Sequence, residues 1–448
     1  MKVQFKSRCL LFVVCGIVAC TSDDDTAKPQ DEVVAPAEQQ SESALRDLTI
    51  VDDSSANTDT IAYTEALTAA EMEQSRGLRD FAFRFMKTVV AHKPEENVFV
   101  SPYSANVLLS LLANGSGSET RDEILSVLGV DDNGMDCLNA CNKKTAYRLH
   151  TADDQVALRQ ANAVWVQYSL PIYKSYVDVV NQMYDGNVVG IDFSSVSAGR
   201  TINDWCSENT NGLIDHILDD GAHSEYAMIM ANAIYFNAKW FMPFDESDTN
   251  PKVFHNVDGS ESTVNMMSQK GSFKYAQTDL YDVVAMQLGY YLKRYFAMHI
   301  LLPHAGVTLD QCLDSLEPDS WLSLFPAPTS TDADRVDLWL PRFEMNMHTS
   351  LRPMLQKMGM YRAFSAGSAQ FDSQSPQPLF LSDILQNTSL KVTESGVEAA
   401  AATWDGMAAG LPGQTVTYKH FHVDRPFFFT LQDNRDGTIL FMGVVNKL

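Results

Sequence analysis

Apolar and polar positions follow two different periods along this chain, and the period switches from one segment to the next. Thr68-Ala69-Ala70-Glu71 has the form of a helix capping box, and Leu78, Phe81, Phe85 and Val89 follow at helical spacing. This predicts a long first helix. After Pro94, Asn97-Val98-Phe99-Val100-Ser101-Pro102 leads into a second helix carried by Val107, Leu108, Leu111 and Leu112. Gly115 and Gly117 close it, and a third helix runs over 118–128. Strand-like runs occupy 161–167, 227–236, 283–288, 297–302, 336–340 and 426–431. At the end, 427–431 and 439–444 flank a turn at Asp436-Gly437 and read as a buried hairpin. Helices and strands mix without βαβ alternation or internal repeats, which predicts one large α+β domain.

The first residues follow neither period. Lys2, Lys6 and Arg8 precede an apolar run over 9–19 that is too short to span a bilayer, in the order of a secretory signal. The run ends Ile17-Val18-Ala19-Cys20, which resembles a bacterial lipobox. That resemblance implies a signal peptide at 1–19 and lipidation of Cys20, with acyl chains anchoring the protein. Thr21-Ser22-Asp23-Asp24-Asp25 resembles the surface-export tag of Bacteroidetes lipoproteins and implies an outer-membrane, cell-surface location. Residues 20–67 are rich in Asp, Glu, Ser, Thr, Gln and Ala and poor in aromatics, so they read as an acidic disordered tether, parts of which could wrap the domain.

The chain's 448 residues are 45% hydrophobic, enough to bury a sizeable core over 68–448. A net charge of -24 argues against a nucleic-acid partner, because phosphate recognition draws on clustered Lys and Arg. Outside the signal, Cys137, Cys141, Cys206 and Cys312 make no disulfide scaffold; Cys137 and Cys141 could bridge locally or remain thiols. No G-x-S-x-G, H-E-x-x-H or Walker loop is present, which speaks against an enzyme. His420 and His422 flank Phe421 on one strand face and could bind metal, but such a pair more often reads as solvated surface, so neither metal nor cofactor is expected.

From 68 to 448 the chain resembles the serpin family through an ordered series of motifs. Asn97-Val98-Phe99-Val100-Ser101-Pro102-Tyr103-Ser104 is similar to the family's Asn-x-Phe-x-Ser-Pro-x-Ser. Ala161-Asn162-Ala163, Asn203-Asp204-Trp205 and Asn232-Ala233-Ile234-Tyr235-Phe236 with Lys239-Trp240 follow in order. Leu340-Pro341-Arg342-Phe343, Asp424-Arg425-Pro426-Phe427 and Phe441-Met442-Gly443 complete the series. The resemblance implies a large central β-sheet with further sheets, about eight to nine helices and an exposed reactive-centre loop over about 394–420. It also implies a monomer that forms a covalent complex with a target protease. Ser101, Ser104, Asn232, Trp240 and Gln386 match the region where the family's sheet opens; Gln386 stands where many members carry His.

Glu394-Ser395-Gly396-Val397-Glu398-Ala399-Ala400-Ala401-Ala402-Thr403 resembles the hinge of that loop. Alone, its alanines favour helix. As a strand it would turn Val397, Ala399, Ala401 and Thr403 to one face and Glu398, Ala400 and Ala402 to the other, small enough to enter a packed sheet. Gly396 supplies the pivot. Met407, Ala409, Gly410 and Leu411 are the candidate scissile residues, since counting from Glu394 and counting back from Phe421 place the bond differently. No Lys or Arg lies between Lys391 and Lys419, which disfavours trypsin-like targets. Elastase-, subtilisin- or chymotrypsin-like serine proteases fit, with papain-like cysteine proteases as a further class. The alternative is a non-inhibitory serpin that serves as a binding or structural surface protein, suggested by Asp405 on the face that would enter the sheet.

Overall fold

The computed structural model describes residues 8–15, 43–53, 66–130, 134–153, 155–212, 216–290, 293–325, 333–397 and 417–448. Two short strands, β1 (Arg8–Cys15) and β2 (Ile50–Val51), precede helix α1 (Ala69–His92). The capping box forms: Thr68 Oγ1 accepts the Glu71 N–H at 3.3 Å, and Glu71 Oε2 accepts the Thr68 N–H at 2.6 Å. Phe81, Phe85 and Val89 on the apolar stripe of α1 are fully buried.

Strand β3 (Val98–Val100) then enters α2 (Pro102–Gly115), followed by α3 (Ser118–Leu128) and α4 (Met135–His150). Next come β4 (Val156–Gln167), β5 (Ile172–Tyr173), α5 (Lys174–Tyr184), β6 (Gly186–Ile191), α6 (Ala198–Asn209) and β7 (Tyr226–Lys239). The chain continues through β8 (Asn250–His255), β9 (Glu261–Gln277), β10 (Tyr281–Leu288) and β11 (Phe296–Pro303), then α7 (Leu309–Ser315) and α8 (Pro318–Ser323). It closes with β12 (Asp334–Pro341), β13 (Phe343–Ser350), α9 (Arg352–Lys357), β14 (Leu379–Thr393), β15 (Gly396–Val397), β16 (Lys419–His422), β17 (Phe427–Asp433) and β18 (Thr438–Val445).

Two large sheets organise these elements. The central sheet runs β13, β14, β7, β4, β6, with β1 and β15 both lying between β14 and β7. The second runs β16, β12, β9, β10, β11, β17, β18, β3, with β8 on β9. The expected terminal hairpin is β17 paired antiparallel with β18. β7 is buried on both faces. Met228, Met230, Ile234 and Phe236 join the main core, whereas Ile229 and Ala233 pack with Ile202 and Cys206 of α6 in a smaller one.

Two N-terminal segments pair with the domain. Within the stretch read as a disordered tether, residues 43–53 lie along the domain: Ala44 is buried, Arg46 N–H donates to Gly190, β2 pairs with β5, and Asp53 accepts a hydrogen bond from the Ser175 hydroxyl. Ala44 and Leu48 bury apolar surface there, which the polar composition around them conceals. Residues 8–15, which span the end of the charged part and most of the apolar run read as a signal, form β1 between β14 and β7. Among the described residues, Cys137 and Cys141 stay thiols, and no helix is long and apolar enough to cross a membrane.

Candidate functional site

Between β7 and β14 the central sheet has room for one further strand. The two run parallel to each other, each backed by an antiparallel neighbour, β4 behind β7 and β13 behind β14. Their inner edges therefore present N–H and C=O groups to whatever lies between, and such edges template strand addition. At one end β15 fills the place antiparallel to both, with Gly396 opposite Thr393 and Lys239, and Val397 opposite Val392 and Ala238. At the other end β1 fills it parallel to both, from Cys9 beside Tyr226 to Val14 beside Gln386 and Asn232. Neither reaches residues 234–237 of β7 or 387–391 of β14.

The entrance is anchored by side chains around Glu394. Its carboxylate is buried and accepts hydrogen bonds from Arg342 at 2.5 Å and Thr249 at 2.7 Å. Burial pushes the Glu394 carboxyl up, but the bonds from Arg342 and Thr249 outweigh it and hold the group below its ordinary value. Trp240, also buried, donates its indole N–H to the Thr393 carbonyl at 2.8 Å and its backbone N–H to Ser395 at 3.1 Å. Gly396 has φ +154°, and a Cβ there would overlap the Ala238 carbonyl oxygen. No other residue lets the chain turn so close against β7. Val397 is then buried between Val392 and Ala238, and all three side chains belong to the core.

Midway along the slot, the N-terminus of α2 touches both lips. Ser101 caps the helix: its Oγ accepts the Ser104 N–H at 3.2 Å and donates to the Leu440 carbonyl at 2.8 Å. Gln386 of β14 bonds the Ser101 backbone twice, accepting at 3.1 Å and donating at 2.9 Å. On the other lip, the Ser104 hydroxyl bonds Asn232 Oδ1, Asn232 donates to Asn162 at 2.7 Å, and Asn162 donates to the Tyr184 carbonyl at 2.7 Å. All these side chains lie in the interior, where an unmade hydrogen bond costs about 1–3 kcal/mol, so the network fixes the spacing of β7 and β14. Gln386 fills both its donor and acceptor roles without any titrating group.

The structure thus gathers Ser101, Ser104, Asn232 and Gln386 at one point and sets Trp240, Glu394, Gly396 and Val397 at the entrance. Glu398, Ala399, Ala400, Ala401, Ala402, Thr403, Met407, Ala409, Gly410, Leu411 and Cys20 lie outside the described residues. Sequence reasoning did not pair Glu394 with Arg342 and Thr249, although Arg342 stands within a quoted motif. It also did not link Asn162 to the network. A separate group of Asp337, His420 and His422 has donor atoms within 4.8 Å of one another and could hold a metal ion.

Residues 76–448 match the family described as Serpin (serine protease inhibitor), and the chain belongs to that family. It is 30% identical over 356 residues to an uncharacterized serpin-like protein of Methanosarcina acetivorans, covering 78% of this chain and 81% of that protein. It is also 30% identical over 389 residues to plasminogen activator inhibitor 1 of Bos taurus, covering 82% and 90%. Tengpin, a thermophilic serpin solved in its native state, superposes with a TM-score of 0.75 at 24% identity, covering 86% of this chain and 95% of tengpin. The fold is therefore the serpin fold, and protease inhibition is the family's general activity.

The Glu394 anchor has a pH signature. A carboxyl held below its unfolded value stabilises the fold fully above that value, near 4.5, and the contribution fades as pH falls through the lower folded value. Arg342→Ala removes the cation and leaves the buried carboxylate poorly compensated, at a cost of about 2 kcal/mol. Thermal melts at pH 7 should place the variant about 3 °C below the parent, and the gap should narrow as pH falls below about 4.5. Equal melting at pH 7 would show that the anchor contributes nothing.

Proposed function

We propose that this chain is an inhibitory serpin that traps a protease by surrendering its loop to cleavage and drawing the freed end into the β7/β14 slot. The observation that carries this reading is β15: hinge residues Gly396 and Val397 already pair with both lips. Continuing their register would bring Ala399 between Leu390 and Phe236, Ala401 between Thr388 and Ile234, and Thr403 between Gln386 and Asn232. All six of those neighbours are buried. Glu398 would come beside Lys391, a favourable cross-strand charge pair. Helix α6 covers the opposite face near Ala233, so loop residues at that depth would be enclosed on both sides. Alanine at successive positions meets that requirement.

The chemistry belongs to the protease. Its nucleophile attacks the scissile carbonyl among Met407, Ala409, Gly410 and Leu411; the C–N bond breaks, and the acyl-enzyme ester keeps the loop's N-terminal part. Insertion then competes with attack of water on that ester. Each ladder bond contributes about 0.5–1.5 kcal/mol net, and apolar burial adds about 25 cal/mol per Å². Over a strand bonded on both edges the sum reaches about 10 kcal/mol. Asp405, which the same register brings to Ile384 and Met230, opposes it by several kcal/mol. The sum favours insertion. Asp405 is the one observation that favours the second reading, a non-inhibitory serpin acting as a binding or structural surface protein.

The loop's lack of Lys and Arg points to elastase-, subtilisin- or chymotrypsin-like serine proteases, and to papain-like cysteine proteases beyond them. The protein is proposed to act as a monomer held at the outer membrane, facing the cell surface, by lipidated Cys20. Removal of residues 1–19 would also clear β1 from the slot, leaving it to the loop.

Incubation with pancreatic elastase should yield a complex that survives heat and SDS, and Val397→Arg should turn the inhibitor into a substrate. Clean turnover of the parent, or undiminished complex in the variant, would contradict the mechanism. Palmitate fed to expressing cells should label the parent chain and not Cys20→Ala. An unlabelled, freely soluble parent would end the anchor proposal.

A further inference from the structure

We infer that Asp337, His420 and His422 form a binding site for a divalent transition metal of the zinc class, fastening β16 to β12. β16 is the edge strand of the second sheet, four residues long and paired in that sheet with β12. Their parallel register sets Asp337 beside His420 and Trp339 beside His422. Phe421, between the two histidines, is fully buried together with Leu338, so strand alternation turns both imidazoles to the other face.

The donor atoms already converge. The Asp337 carboxylate lies 3.5 Å from His420 Nδ1 and 3.8 Å from His422 Nε2. A tetrahedral zinc ion with bonds of about 2.0–2.2 Å holds its ligands about 3.3 Å apart, so both contacts need to close only slightly. His420 is exposed and can swing inward through a rotamer change, whereas His422 is fixed by stacking on Trp339 at 3.7 Å between ring centres. His422 Nε2 is shielded from solvent and has no hydrogen-bond partner, which is unusual for a buried ring nitrogen. A metal ion would satisfy it. Lys270 approaches the same carboxylate at 3.7 Å, but its side chain is largely exposed and free to leave.

Two imidazoles and one carboxylate suit zinc, or copper and nickel in its place, and disfavour magnesium and calcium, which require oxygen ligands. The bound ion would join two strands that are otherwise held by one short ladder. Because β16 directly follows residues 398–416, the clip would hold the C-terminal base of that segment.

The test is calorimetric titration of the intact, chelator-stripped chain with zinc chloride. One ion should bind with a dissociation constant of about 1–10 µM. His420→Ala and Asp337→Asn should each weaken binding at least about tenfold, and magnesium chloride should give no signal. Saturating zinc should raise the melting temperature of the parent and leave that of His420→Ala unchanged. His420 is exposed, so its replacement does not threaten the fold. No uptake by the parent up to about 100 µM zinc, or equal affinity and equal thermal gain in His420→Ala, would overturn the site. No protease enters this measurement, so its outcome is independent of the inhibitory mechanism.

Discussion

The constraint on which the rest of this structure depends is an unfinished ladder. β7 and β14 each have one satisfied edge and one that faces a place a strand wide, and backbone groups left in such a place have strong reason to pair. The chain meets that demand in two directions. β15 enters from the Trp240 end, and the apolar leader strand enters from the Tyr226 end, running the opposite way. Both segments meet the lips as extended backbone, through ladder pairing on two sides. The slot's discrimination lies at the entrance, where Gly396 alone fits against Ala238 and where Glu394 is tied to Arg342 and Thr249.

The same constraint explains why the middle of the slot is polar. A sheet that must admit another strand cannot weld its lips together with apolar packing across the gap. Ser101, Ser104, Asn232, Asn162 and Gln386 instead hold each lip separately to the N-terminus of α2, through directional bonds that satisfy every partner. The lips are thereby spaced without being joined to each other. With an amide at 386 rather than an imidazole, this spacing contains no group that titrates near neutrality.

Much of the fold was legible in the sequence. The capping box at Thr68 and Glu71, the helix after Ser101 and Pro102, β7 and the terminal hairpin all carry clean local signals. β14 was not, because buried Gln386, Asn387 and Thr388 interrupt its apolar pattern, Gln386 to bond Ser101, Asn387 to bond His348 and Thr388 to donate to the Phe99 carbonyl. β9 was equally hidden: its 17 residues are mostly polar, with Gly271 in the middle, as suits a partly exposed strand. Residues 43–53 read as tether because two or three apolar anchors suffice to dock a polar strap. At the site, Gly396 and the alanines were readable by their type. The partnership of Glu394 with Arg342 and Thr249 was not, since it joins residues far apart in the chain. Asp337 was missed beside His420 and His422 for the same reason: strand register, which no local pattern records, brings them together.

The central claim is that completing the ladder stabilises the protein, and thermal melting of the mature chain before and after a single cut in the loop tests it most directly. The account predicts that the cut chain melts about 10 °C higher than the intact one, since up to about 10 kcal/mol of new strand pairing would be added to a domain of this size. A cut chain that melts at the same temperature as the uncut one would contradict it.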